Sequence, residues 1–560
     1  MTKPITTLLV FVFIKTLNAQ VAIPLNEKTI YNGIEFQMPK VNETDFPNYE
    51  ISISNFGAVG NGIVKNTEAF AKAINNVSTK GGGKVIVPRG IWLTGPITLK
   101  SNITLHLEDG ALITFSKNFD DYPIVKTSFE GLNTVRCISP INAENVENIA
   151  ITGNGIIDGS GDAWRPVKIS KMTDGQWKTL IRSGGVVSKD GKIWFPSEGS
   201  KKGYENSTNF NVPDLINGQE LASVKDFLRP VMVSIINSKR VLLDGPTFQN
   251  SPAWNIHPLM CEDIIIRNIN VRNPWYSQNG DGLDLESCKN ALVYNNTFDV
   301  GDDAICFKSG KDKDGRDRNI PTENVIVKNN VVYHAHGGFV IGSEMSSGVK
   351  NVHISNCTFI GTDIGLRFKS TRGRGGIVEN IYISNIDMIH IPTEAIGFNL
   401  YYSGKAPVLD DNETSGTKIQ EEKLIEINQE TPSFRNIFMK NINVADSETA
   451  MFFMGLPEMN LKNISIENSI FETKKGITLI DSDGITLKNV KIKASDDFPL
   501  TIYNSKNIKV SEFNFKESKS TIKVLGKKTS NIQFDKKDIS NEKEQILLGM
   551  GIDKKAVKIQ

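Results

Sequence analysis

No two cysteines in the 560-residue chain stand at CxxC spacing. The five that exist, Cys137, Cys261, Cys288, Cys306 and Cys357, are scattered, which argues against a zinc site. Four of them fall in β-patterned segments and read as buried packing residues, with a single disulfide left open. An excess of charge of one sign is missing too. Lys and Arg number 64 against 63 Asp and Glu, for a net charge of +1. No long-range field therefore recruits nucleic acid or an anionic membrane, and neither is expected as a partner. Beyond the N-terminus no apolar run is long enough to span a bilayer. Helical periodicity is almost absent, and no cofactor or metal motif is found. What remains is a chain rich in Gly, Asn and β-branched residues, which points to an all-β class.

The N-terminus, MTKPITTLLVFVFIKTLNAQ, has a basic start, a short apolar run and a small residue, Ala19, before Gln20. It reads as a secretory signal peptide over 1–19, followed by a lead-in over 20–50. Lys15 interrupts the run, so a buried N-terminal strand is the alternative.

From about residue 100 a template, N-I-x-I-x-N-x-x-F, recurs with substitutions. Strong copies are DIIIRNINV from 263, NALVYNNTF from 290, NVIVKNNVV from 324 and NVHISNCTF from 351. The series continues with NIYISNIDM from 380, NIFMKNINV from 436, NISIENSIF from 463, GITLKNVKI from 484 and NIKVSEFNF from 507. Most starts are 21–34 residues apart. Such a period with β-branched alternation implies one coil of strands per repeat, unable to bury its apolar face unless neighbours stack. The recurring Asn suits a tight bend where its amide bonds to the same residue one coil away. The expected fold is a parallel β-helix over 51–530, with a tail over 531–560. NTEAFAKAINNV (66–77) is the one amphipathic helix and would cap the first coil. Two stretches break the period, about 159–230 and 404–432, and read as insertions that help build a binding face. The first carries Trp164, Trp177 and Trp194, which would either stack on sugars or pack the insertion's own core.

The chemistry-bearing residues fall on four consecutive coils. Asp281 belongs to the copy from 263, Asp302 and Asp303 to that from 290, His336 to that from 324, and Arg367 and Lys369 to that from 351. In VGDDAICF (300–307) the acids interrupt what reads as a buried strand, with Gly301 bending the chain to aim them at a groove. Coils about 4.8 Å apart would gather three carboxylates, an imidazole and two cations within about 15 Å. A glycosidic bond needs a protonated acid at the leaving oxygen and an ionised carboxylate to activate water. Crowded acids divide those states between them. Arg and Lys suit the carboxylate of an acidic sugar.

At these residues the sequence resembles glycoside hydrolase family 28, the polygalacturonase family of pectin-degrading enzymes. Asn279-Gly280-Asp281-Gly282, Gly301-Asp302-Asp303, Ala335-His336-Gly337 and Arg367-Phe368-Lys369 stand in the family's order for Asn-Thr-Asp-Gly, Gly-Asp-Asp, Gly-His-Gly and Arg-Ile-Lys. The resemblance spans about 50–510, and GDDAICFKSGKDKDGR (301–316) is more similar to exo-acting bacterial members. It implies a right-handed parallel β-helix and inverting hydrolysis of α-galacturonosidic bonds in pectic poly- or oligosaccharides. The enzyme would be secreted, periplasmic or on the cell surface. Asp302 would be the general acid, and Asp281 and Asp303 would position and activate water. His336, Arg367, Lys369, Asn279 and Tyr402 would bind substrate or support the site. The alternatives are a rhamnogalacturonan-type hydrolase, a pectate-lyase-like β-elimination, and a non-catalytic β-helical carbohydrate-binding protein.

Overall fold

The copy from Asn290 shows how a repeat becomes a coil. Strand Lys289–Tyr294 ends at Asn295 in a left-handed bend, strand Thr297–Asp299 follows, and the chain turns again into strand Ile305–Lys308. In this computed structural model, which describes residues 29–207, 212, 218–402, 424–495, 498–515, 521–539 and 545–560, each strand stacks in parallel on its counterparts in neighbouring coils. A single ladder system takes in 34 strands, so the architecture is the right-handed parallel β-helix. The signal-peptide segment 1–19 and residues 403–423 of the second insertion lie outside the described residues. Among the described residues no helix is long and apolar enough to cross a membrane.

Inward positions build apolar columns along the axis. Ile264, Ala291, Val325, Val352 and Ile381 are paired coil to coil and fully buried. Each large aliphatic side chain buried this way contributes about 1.5–3 kcal/mol. All five cysteines are buried and unpaired, so no disulfide forms. The template asparagines occupy the bends in the left-handed region, which Asn tolerates better than other residues with a Cβ. Their amides form the expected ladder. Asn324 donates to Asn290 at 3.3 Å, Asn351 to Asn324 at 3.1 Å, Asn380 to Asn351 at 3.3 Å and Asn463 to Asn436 at 2.7 Å. This ladder runs along the outside of the bend, half-buried or exposed. A shorter internal one links Asn296 to Asn330, both buried.

Helix Thr67–Thr79 caps the first coil through Phe70, Ala73, Ile74 and Val77. Part of the lead-in, from Thr29 onward, is a strap along the outer face. Ile30 and Val41 pack on Leu242, Ile265, Leu292 and Ile326, and the Lys328 ammonium donates to the Ile30 carbonyl at 2.8 Å. The 159–230 insertion holds a small antiparallel sheet and helix Asp174–Arg182. Its three tryptophans are buried. Trp177 and Trp194 pack against Val167 in the insertion's own core, whereas Trp164 packs against Leu228 and against Tyr122 of the preceding segment and so joins the insertion to it. One element had no signal in the sequence pattern. Ile124–Phe129 and Leu132–Cys137 form an antiparallel hairpin that leaves the solenoid. At the far end the ladder runs past 530, where Ile546–Gly549 and Val557–Ile559 still pair in parallel with the preceding coil.

Asn351 tests the bend ladder. Asn351→Ala places an ordinary residue at φ 55° and removes two amide bonds, and should cost about 2 kcal/mol in urea unfolding. Asn351→Gly keeps the backbone comfortable and should cost about half as much. Equal losses in both variants would mean that the left-handed bend contributes nothing.

Candidate active site

The acids do not sit inside a strand. The regular strand of VGDDAICF begins only at Ile305, and Asp302 and Asp303 occupy the bend ahead of it. Asp281 stands in the same way ahead of strand Leu283–Glu286, and His336 ahead of Gly337–Ile341. Backbone bonds between coils lock these bends together. Gly282 N–H donates to the Asp303 carbonyl, Ala304 N–H to that of Gly337 and His336 N–H to that of Asp302, each at 2.9 Å. The bend leaves no room at Gly301, where a Cβ would lie 2.4 Å from the Pro274 carbonyl and from Ser277 Oγ. At Gly282 a Cβ would lie 2.5 Å from the Ala304 carbonyl. Gly282 and Gly301 are therefore required by close packing.

The structure brings the three carboxylates together, each offering an oxygen within 4.8 Å of the others. Asp302 is partly exposed, whereas Asp281 and Asp303 are 3% and 1% exposed. Asp303 accepts from Lys369 Nζ at 2.7 Å and from Arg367 at 3.2 Å. Burial alone would raise its pKa, but Lys369, Arg367 and His336 hold the carboxyl well below the usual range, so it is ionised. Asp281 goes the other way. Burial, then Asp284 and Asp302 beside it, push its carboxyl well above the usual range. The two neighbouring acids are thus pushed in opposite directions. His336 Nδ1 lies 3.1 Å from Asp363 Oδ2, with both side chains about two-fifths exposed.

The remaining expected residues are placed differently. The Tyr402 ring lies under both cations, 5.6 Å from the Arg367 guanidinium and 5.0 Å from Lys369 Nζ. Asn279 adopts a left-handed backbone, and both ends of its amide are engaged within the protein. Its Oδ1 accepts from Arg229 at 3.0 Å and its Nδ2 donates to Glu130 at 3.1 Å. It ties the Asp281 loop to its surroundings.

A buried charged layer beneath the acids escaped the sequence reading. Lys308 Nζ lies 3.5 Å from Asp284 and 3.1 Å from Glu344, over the Trp254 ring. His257 meets Glu286 at 2.8 Å, and Arg318 meets the same carboxylate. Burial opposes the Glu286 charge, yet His257 and Arg318 bring its pKa down to about 2. The available signal was alternation. In LDLE (283–286) and ICFK (305–308), polar and charged residues take the outward positions of otherwise apolar strands.

The tip of the hairpin rests on the loop before Asp281 and on the segment after strand Ile305–Lys308. Glu130 at its tip reaches Asn279, the Gly131 carbonyl accepts from Lys311 N–H at 3.0 Å, and Phe129 packs on Trp254 at 4.8 Å between ring centroids. A cation is poorly matched to the acidic triad, because both oxygens of Asp303 already accept from fixed positive charges.

Comparison with known proteins bears on the family and the fold. The model of the family described as glycosyl hydrolases family 28 matches residues 177–439. A hyperthermoactive exopolygalacturonase from Thermotoga maritima, known from its crystal structure, is 34% identical with a TM-score of 0.66, over 83% of this chain and 95% of that one. The exo-poly-alpha-D-galacturonosidase of Dickeya chrysanthemi is 30% identical over 372 residues, 64% of this chain and 58% of that protein. A probable polygalacturonase of Vitis vinifera is 29% identical over 350 residues, 61% of each chain. The chain thus spans about three fifths of the length of these curated relatives.

The opposed carboxyls have opposite effects on stability. Asp303, depressed below the ordinary 3.8, stabilises the fold fully above that value, and the contribution is lost as pH falls towards its folded pKa. Asp281, raised, binds its proton more tightly in the folded state and weakens the fold as pH rises above the ordinary value. Asp303→Asn leaves two buried cations unneutralised and should cost about 3 kcal/mol or more at neutral pH. Urea midpoints between about pH 5 and about pH 3 should decline less in this variant than in the parent. An equal decline would show that Asp303 is not the ionised partner.

Proposed function

Because the chain belongs to glycosyl hydrolase family 28, we propose that it hydrolyses α-galacturonosidic bonds of pectic polysaccharide from a chain end, outside the cytoplasm. One observation carries the chemical reading: a single reachable carboxylate, Asp302, stands beside two buried ones, Asp303 held by two fixed cations and Asp281 with a buried oxygen that has no hydrogen-bond partner among the described residues. Asp302 is the general acid that protonates the leaving oxygen. Asp303, kept ionised by Lys369 and Arg367, and Asp281, whose buried Oδ1 has no hydrogen-bond partner among the described residues, hold the attacking water. His336 lines the groove beside the acid. Arg367 and Lys369 keep donors that Asp303 does not use, and with Tyr402 they receive the galacturonate carboxylate.

Burial supports single displacement. A covalent intermediate needs a carboxylate exposed to the anomeric carbon, and Asp281 and Asp303 are almost wholly covered. The carboxylate spacing is shorter than the roughly 6.5–9.5 Å usual in inverting enzymes, so burial rather than distance is the argument. The hairpin tip supports action at a chain end, since a polymer threading past the Asp281 loop at Asn279 would meet Glu130 and Gly131. The N-terminal signal-like segment supports export.

Three readouts test the proposal. Homogalacturonan should yield galacturonate monomer from the first time points, whereas an oligomer ladder would exclude chain-end action. Proton NMR of the first reducing ends should show the β anomer, and an α anomer would mean retention. Asp302→Asn should lower kcat by several orders of magnitude while oligogalacturonate binding is largely kept. Unsaturated products lost on chelation would establish a lyase instead.

A further inference from the structure

Of six tryptophans, one is exposed. Trp275 is 55% exposed, while the other five are at most 9% exposed. It lies on the loop between Asn273 and Gly280 that delivers Asp281 and packs on Gly301 through Pro274 and Ser277. Exposed aromatic rings usually swing, but this one is pinned at its polar end, since the indole N–H donates to the Lys171 carbonyl in the 159–230 insertion at 3.0 Å. Its neighbour Tyr276 packs edge-on to it and is part-buried against Val167, Trp177 and Trp194. The insertion therefore clamps this loop and leaves an oriented indole at the edge of the groove.

The charge beside it is of the right sign. The Lys171 side chain is exposed and makes no ion pair among the described residues. Asp363, the partner of His336, feels it. Burial opposes the Asp363 charge, but the His336 bond and then Lys171 keep that carboxyl below its ordinary value. Trp275, on the loop that ends at Asp281, is thus tied to Lys171, and Lys171 acts on the carboxylate that His336 contacts.

We infer that Trp275 and Lys171 form a sugar subsite beside the scissile bond, the indole stacking on the ring of a galacturonate residue and the ammonium attracting its carboxylate. The inference rests on the reading of the site as a galacturonan hydrolase. It gives the insertion a role that its own tryptophans cannot fill: it presents a ring that belongs to the solenoid loop. Stacking of this kind is worth about tenfold in affinity, and the exposed ammonium adds an attraction that salt screens.

The test measures calorimetric binding of trigalacturonate and of galacturonate monomer to the full chain carrying Asp302→Asn, which prevents turnover. Adding Trp275→Ala should weaken trigalacturonate about tenfold and the monomer much less. Trp275→Phe, which keeps a ring but removes the bond to Lys171, should retain most of the affinity. Lys171→Glu should weaken trigalacturonate at low salt, with the deficit shrinking as salt rises. Unchanged affinity in Trp275→Ala, or equal losses in Trp275→Ala and Trp275→Phe, would overturn the inference, the latter by showing that the indole only pins the insertion. If the Asp302→Asn parent binds no oligogalacturonate at all, the galacturonan reading itself fails and takes this subsite with it.

Discussion

The active constellation depends on parallel backbone pairing between coils. Asp281, Asp302 and His336 stand on three different coils, and although the Asp302 carboxylate accepts from its neighbour Asp303 N–H at 3.0 Å, local contacts do not set the placement of the three relative to one another. Each is held by backbone bonds to adjacent coils that run in both directions: Asn255 N–H donates to the Asp281 carbonyl and Gly282 N–H to that of Asp303, whereas His336 N–H donates back to that of Asp302. These bonds set the vertical spacing of the side chains, and the apolar columns beneath prevent the bends from sinking or slipping. A register slip of one residue in strand Ile305–Lys308 would turn Cys306 and Lys308 inward and dismantle the charged floor.

That floor is costly in isolation. Buried ions lose hydration worth several kcal/mol each, which their pairing offsets only with good geometry. Here Asp303 has two cations, Lys308 has Asp284 and Glu344, and Glu286 has His257 and Arg318. The remaining imbalance collects at Asp281 and Asp284. Asp281 Oδ1 and both oxygens of Asp284 are buried without hydrogen-bond partners among the described residues. Burial pushes both carboxyls up, beside the one carboxylate that Lys369 and Arg367 hold down. The strain therefore falls where the proposed reaction needs a carboxylate and a proton close together.

The parts legible in the sequence are those written in a period. The template asparagines announced the bends, and stacking followed because a lone coil cannot bury its Ile and Val face. Placing Asp281, Asp302, Asp303, His336, Arg367 and Lys369 on that grid brought them to one groove. Reading VGDDAICF as a strand erred because its apolar residues serve two purposes. Val300 fills the bend, whereas Ile305 and Phe307 belong to the ladder. The 124–137 hairpin and the pinning of Trp275 were illegible for another reason. Both rest on contacts between distant segments, such as Glu130 with Asn279, Gly131 with Lys311 and Trp275 with Lys171, and such contacts leave no periodic trace. The insertion's tryptophans were conspicuous because tryptophan is rare, yet rarity says nothing about which way a ring faces.

The two excursions share a topological origin. In a solenoid, sequence order is spatial order, so a segment inserted early lies at the early end of the groove unless it bends along the axis. The hairpin leaves after strand Ala111–Phe115, and the 159–230 insertion after strand Ile156–Asp158; both precede the coils bearing the acids. Each then leans forward. The hairpin is held by Lys311 and Asp314, the insertion by Tyr276, Trp275 and Asn279. The acids are thus approached by elements anchored on the coils before them, while Arg367, Lys369 and Tyr402 come from the coils after them. A groove assembled from both directions can change what it accepts by altering the excursions alone, because the ladder that aligns the carboxylates does not run through them.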